Sequence, residues 1–216
     1  MRVTGPTDRG AVVCMNGGQA SEVEGTWSAS LEWLVRRLAP SFPALAFVEV
    51  RYRIKSWRLL EWCIEDAREA VRAAAAPRTL LLGFSMGGAV AIRAADEPSV
   101  DAVLGLAPWI PERLSLDALR GRRLDVLHGT LDRSLPGIPG VSPQSSRRGF
   151  ERAQALGVEG SYALVPGALH GAALRMHWGR AVPLPRAKRW AELVAARLSR
   201  WSEEAGDAPA ATRPGP

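Results

Sequence analysis

The segment Gly83-Phe84-Ser85-Met86-Gly87 places a serine between two glycines, each two positions away from it. The apolar run Thr79-Leu80-Leu81-Leu82 ends just before this segment, and an alanine-rich stretch reaching Asp96 follows it. A strand that turns sharply into a helix strains the residue at the turn, and side chains two positions to either side would collide. Gly83 and Gly87 have none. The turn lifts the Ser85 hydroxyl above the sheet, with the first N–H groups of the helix beneath it. Those N–H groups are unpaired and lie at the positive end of the helix dipole. Such a hydroxyl is placed to attack a carbonyl carbon, and the donors are placed to meet charge developing on oxygen.

A serine hydroxyl needs a base to take its proton, and the base needs an acid to orient it. The motif in its strand–turn–helix context resembles the nucleophile elbow of the α/β-hydrolase superfamily, closest to its small carboxylesterases related to dienelactone hydrolase. Matching segments run from about Ala11 to Ser199. The resemblance implies a triad in the chain order serine, acid, histidine. Leu127-His128-Gly129-Thr130-Leu131-Asp132 resembles the family's acid-bearing strand end, which makes Asp132 the expected acid. Asp101 and Asp125 each precede a strand and belong to the opposite edge of the sheet, while Asp117, in a connection, stays open. Among three histidines, His170 in Val165-Pro166-Gly167-Ala168-Leu169-His170-Gly171 resembles the family's base-bearing loop. His128, in or at the end of a strand, reads as a packed structural residue, and His177 is the fallback base.

Two N–H donors are needed for the carbonyl oxygen as it gains charge. The resemblance assigns one to Met86 and the other to the loop Asn16-Gly17-Gly18-Gln19, with Gly18 first and Gln19 second. Relatives often carry His-Gly where this chain has Asn16-Gly17, so Asn16 is a candidate substrate contact. Trp109, in Pro108-Trp109-Ile110-Pro111, is expected to line or rim the pocket. Residues 174–185, which include Met176, His177 and Trp178, form a long link after the expected base and have the makings of a partial lid. Arg51, Arg53 and Lys55 alternate along one segment beside the oxyanion loop, and Arg53 is taken as the residue that draws an anionic substrate group.

Positioning these residues requires an alternation of strands and crossover helices. Strands are expected at residues 11–15, 45–50, 79–82, 102–106, 124–128 and 162–165, and helices at 28–38, 57–76, 143–156 and 186–203, with another following the 83–88 segment and reaching about Asp96. Apolar residues on both strand faces call for a doubly wound, mostly parallel α/β sheet of about six strands, covered by helices on each side. The ligand site then lies beyond the carboxyl ends of the strands. By the resemblance, the family's antiparallel edge strands are expected to be missing. The link at 107–123 is too short for a large helical cap. One domain is expected over 1–204, with an Ala/Pro/Gly-rich disordered tail at 205–216.

The bulk properties are compatible with this. The chain has 216 residues, 47% of them apolar, with a net charge of +6. Its arginines are scattered rather than gathered in a stripe, and no nucleic-acid-binding signature is present, so nucleic acid is not an expected partner. Two distant cysteines suggest no disulfide framework. No apolar run reaches the ~20 residues of a membrane span, and the first ten residues do not read as a signal peptide. The expectation is therefore a cytoplasmic monomer or homodimer, without a cofactor or metal, acting on a small-molecule ester, lactone or thioester. Acyl transfer by the same residues, or ligand binding without catalysis, are the alternatives.

Overall fold

The computed structural model describes residues 1–133 and 140–204. The expected tail at 205–216 lies outside these. In chain order the strands are β1 (Arg2–Thr4), β2 (Ala11–Met15), β3 (Val23–Glu24), β4 (Ala46–Glu49), β5 (Ile54–Lys55), β6 (Thr79–Phe84), β7 (Val100–Leu106), β8 (Arg123–Gly129), β9 (Glu159–Val165), β10 (Ala173–Arg175) and β11 (Ala181–Pro183). The helices are α1 (Ala29–Leu38), α2 (Leu60–Ala74), α3 (Met86–Arg93), α4 (Pro143–Ala155) and α5 (Ala187–Glu204).

Seven strands form the main sheet in the order β1-β4-β2-β6-β7-β8-β9. Every pairing from β4 to β9 is parallel. β1 runs antiparallel to β4, with Arg2 opposite Glu49 and Thr4 opposite Phe47. An antiparallel edge strand is thus present where none was expected. Its physical role is clear: β4 is buried along its whole length, so its outer edge needs a hydrogen-bonding partner. Arg2 fastens β1 in place, donating to Glu49 Oε1 at 2.6 Å and Oε2 at 2.7 Å.

Side chains alternate across each strand and divide the apolar residues between two cores. Val13 and Met15 of β2 face one core with Ile64 and Val71 of α2, Val90 and Ile92 of α3, and Phe150 of α4. Val12 and Cys14 face the other, with Leu31 and Leu34 of α1 and Trp190, Val194 and Leu198 of α5. The sheet is therefore covered on both faces, as a parallel sheet requires. Among the described residues no helix is long and apolar enough to cross a membrane.

From β2 the chain winds to β4 on one side, then returns to β6 on the other. This reversal opens a crevice at the carboxyl ends of β2 and β6. The β7–β8 connection contains only one short 3-10 turn, Asp117–Leu119, so no helical cap covers that crevice from there. Two small ribbons border it instead. β3 pairs with β5, and β10 with β11.

Candidate active site

Ser85 joins β6 to α3 with φ 55° and ψ −120°, a conformation that L side chains rarely adopt. The turn is tight enough that a Cβ on Gly83 would stand 2.3 Å from the Gly87 carbonyl oxygen. A Cβ on Gly87 would stand 2.2 Å from Met15 O, in the neighbouring strand's end. The strain is held by backbone bonds on both sides of the turn. Ser85 N donates to Leu106 O at 3.0 Å, and Ser85 O accepts from Gly88 N and Trp109 N, each at 2.9 Å.

Asp132 lies just beyond β8 and is buried. Its Oδ2 accepts from His170 Nδ1 at 2.7 Å and from His128 Nε2 at 2.9 Å, while Oδ1 accepts from Val141 N at 3.2 Å. Burial pushes this carboxyl up, but the hydrogen bonds and charges of the two histidines outweigh it and hold the group below its ordinary value. His170 uses Nδ1 on Asp132, which leaves Nε2 as the nitrogen able to accept a proton.

His128 is fully buried, as a packed structural residue should be, but it is also a direct partner of the expected acid. Its Nε2 faces two acceptors, Asp132 Oδ2 and Val141 O, both at 2.9 Å, and so carries the proton. Nδ1 then accepts from Ser146 Oγ at 2.6 Å, and Ser146 stands 2.9 Å from the Tyr162 hydroxyl. The His-Gly pair four residues before Asp132 was the available sequence signal.

The loop carrying His170 is tied from two sides. Leu131 N donates to Ala168 O at 2.9 Å, and Gly167 N donates to Thr130 Oγ1 at 2.9 Å. From α1, the buried Ser30 Oγ accepts from Ala172 N and Ala173 N, each at 3.1 Å, and donates to Ala173 O at 2.9 Å. The Phe84 ring packs against the imidazole of His170 with centroids 5.1 Å apart. Ser85 and His170 line the same cavity of about 390 Å³. No hydrogen bond joins the Ser85 hydroxyl to the imidazole among the described residues.

Gly18 and Met86 stand at this junction, where they border a second cavity of about 200 Å³ that Ser85 shares with Trp57 and Trp109. Among the described residues, no backbone carbonyl accepts from Met86 N or Gly18 N. Ser85 thus lies between two spaces, and Trp109 rims the smaller one.

Other expected residues fall elsewhere. Asn16 borders the larger cavity, but its amide Nδ2 is engaged by Thr26 O at 2.8 Å, so the side chain ties two loops together. Arg53 does not line either cavity; its Nε donates to Asp66 Oδ1 at 2.6 Å and NH2 to Glu65 at 3.0 Å. The substrate role expected for Arg53 therefore has no support in its position. His177 is exposed at the tip of the β10–β11 ribbon, stacked edge-on against Trp178, and has no contact with Asp132. Asp117 accepts from Ser115 Oγ at 2.9 Å and pairs with Arg120. Leu174, Arg175 and Leu184 of the 174–185 link form one wall of the larger cavity. Among the described residues no group of three or more His, Cys, Asp or Glu is placed to hold a metal ion.

No protein-family model matches the sequence, and neither does any curated protein. Solved structures do match across nearly the whole chain. A monoacylglycerol lipase of Paleococcus ferrophilus is 13% identical, with a TM-score of 0.62, over 94% of this chain and 98% of that one. An α/β serine hydrolase homologue of Coxiella burnetii is 15% identical, with a TM-score of 0.65, over 91% of this chain and 89% of that one. XC6422 of Xanthomonas campestris, described as an α/β serine hydrolase without a lid, is 15% identical, with a TM-score of 0.63, over 97% and 89%. Sheet order, the turn at Ser85 and these likenesses agree: the chain has the α/β-hydrolase fold.

Proposed function

We propose that the protein is a serine hydrolase of a carboxylic ester, lactone or thioester. The observation that carries this reading is the strained Ser85 turn, sharing a cavity with a histidine whose far nitrogen is bound to a buried carboxylate. In the proposed reaction Ser85 Oγ attacks the carbonyl carbon as His170 Nε2 takes its proton. The N–H groups of Met86 and Gly18 receive the negative oxygen. His170 returns the proton to the leaving alcohol or thiol as the carbonyl re-forms, which leaves an acyl-Ser85 ester. Water, deprotonated by His170, then attacks the acyl carbon; the bond to Ser85 Oγ breaks as His170 returns the proton to that oxygen, and the acid departs. Asp132 keeps the proton of the neutral imidazole on Nδ1 and stabilises the imidazolium formed in each step. The two cavities flanking Ser85 support separate seats for the acyl and leaving groups.

The similarity of the fold to a lipase and to serine hydrolases supports the same reading. Steady-state hydrolysis of 4-nitrophenyl acetate, butyrate and octanoate tests it. Ser85→Ala and His170→Ala are each expected to lower kcat at least about a thousandfold, with both folded. Turnover that persists in Ser85→Ala would contradict the assignment. Adding competing alcohols or amines and analysing the products separates hydrolysis from acyl transfer.

A further inference from the structure

Residues 51, 53 and 55 carry three cations at alternate positions, leading out of β4 into β5. Two of them are neutralised locally. Arg51 pairs with Glu24 and donates through Nε to Gly25 O at 2.8 Å, while Arg53 is held by Asp66 and Glu65. The third differs. Lys55 borders the cavity that holds Ser85 and His170, and its Nζ donates to Thr26 Oγ1 at 2.8 Å. No carboxylate among the described residues forms an ion pair with it. Its partial burial lowers the pKa of the ammonium, with no opposing acidic neighbour to raise it.

The ammonium is fixed in place. β5 is paired to β3 with Lys55 opposite Val23, Trp57 N donates to Gln19 O at 3.1 Å, and Asn16 holds the Thr26 carbonyl. Lys55 is therefore mounted on the same loop system as Gly18, one of the two proposed oxyanion donors. The cavity it borders has no Asp or Glu among its described lining residues, whereas Arg133 and Arg175 also reach it. Arg175 is paired with Glu32 at 2.7 Å. The walls are apolar, with Trp27, Phe84, Leu131 and Leu174 among them. A hydroxyl is a weak counterpart for a partly desolvated ammonium, which has three donors and strongly favours an anion.

We infer that Lys55 is a specificity determinant selecting substrates in which an apolar segment separates the scissile carbonyl from an anionic group, a carboxylate or a phosphate. This rests on the hydrolase reading above. The test compares kcat/KM for matched pairs: mono-4-nitrophenyl suberate against 4-nitrophenyl octanoate, and the octanoyl thioester of phosphopantetheine against that of neutral N-acetylcysteamine. The first pair places the anion on the acyl side, the second on the leaving group.

In at least one pair the charged member is expected to be preferred about tenfold or more, as one charge-assisted contact allows. Lys55→Met brings that ratio close to one, Lys55→Arg retains it, and 0.5 M salt narrows it in the unaltered protein. Ratios near one in both pairs, or a ratio that survives Lys55→Met, overturn the inference while leaving the hydrolase reading intact. Failure to hydrolyse any of the four compounds, charged or neutral, overturns the hydrolase reading itself.

Discussion

Ser85 adopts φ 55° and ψ −120° although it has a side chain, and such strain costs on the order of 1–3 kcal/mol. Glycine would relieve it. Ser85→Gly is therefore expected to raise the unfolding free energy by about 1 kcal/mol in urea titration while ester turnover is lost, whereas a fall in stability would argue against strain at the turn. Asp132 gives a second test at this scale. Its carboxyl is held below the ordinary value, so its contribution to stability is complete above about pH 3.9 and fades as pH drops through the lowered pKa. The stability gap between the unaltered protein and Asp132→Asn should stay constant from neutral pH down to about 4 and close below that. A gap that does not narrow in acid would show that the carboxylate is not held charged by its histidines. The serine was legible from its glycine spacing, and Asp132 and His170 from the segments around them. That His128 also binds Asp132 had only its position four residues before the aspartate as a signal, because a histidine in an apolar strand looks the same whether its nitrogens meet a carbonyl or a carboxylate. The three cations at 51, 53 and 55 were equally visible in the sequence, but which of them stays without a carboxylate depends on Glu24, Glu65 and Asp66, brought in by tertiary folding.

At the scale of elements, the site is an assembly of strand ends stitched together by backbone bonds. α1 contributes through its N-terminal end: Ser28 caps it by accepting from Leu31 N at 3.3 Å, and Ser30 grips the loop after His170. Ser30→Ala would leave two buried N–H groups without that partner, at a cost of about 1–3 kcal/mol measurable by urea unfolding. Its kcat for 4-nitrophenyl butyrate is expected to fall as well, because the His170 loop loses its tie to α1. Unchanged stability would mean that the loop is held by its β8 contacts alone. Helical spacing and apolar runs made the parallel strands and five helices readable. β1 was not readable: three residues with largely exposed side chains have no periodicity, and the strand exists because the edge of β4 needs a partner. The β10–β11 ribbon escaped for a similar reason. Its short strands pair with each other and pack on α1, a long-range support that leaves little local pattern.

Across the whole molecule, residues far apart in sequence converge because the winding reverses between β2 and β6. Ser85, Asp132 and His170 each follow a different parallel strand, and the loop with Gly18 follows a fourth. Among the described residues, the short β7–β8 link and the two small ribbons leave the crevice bordered rather than roofed. Many arginines are held in local ion pairs such as Arg68–Asp96 and Arg72–Glu97, whereas Lys55 beside the cavity has no carboxylate partner among the described residues. The proposed chemistry rests on one hydroxyl, that of Ser85. Its most direct test is incubation of the full chain with a fluorophosphonate probe, followed by peptide mass mapping. The account predicts a single adduct on Ser85 that is lost in Ser85→Ala and strongly slowed in folded His170→Ala. A folded, monodisperse protein that takes no label, or takes it on another residue, would contradict the account.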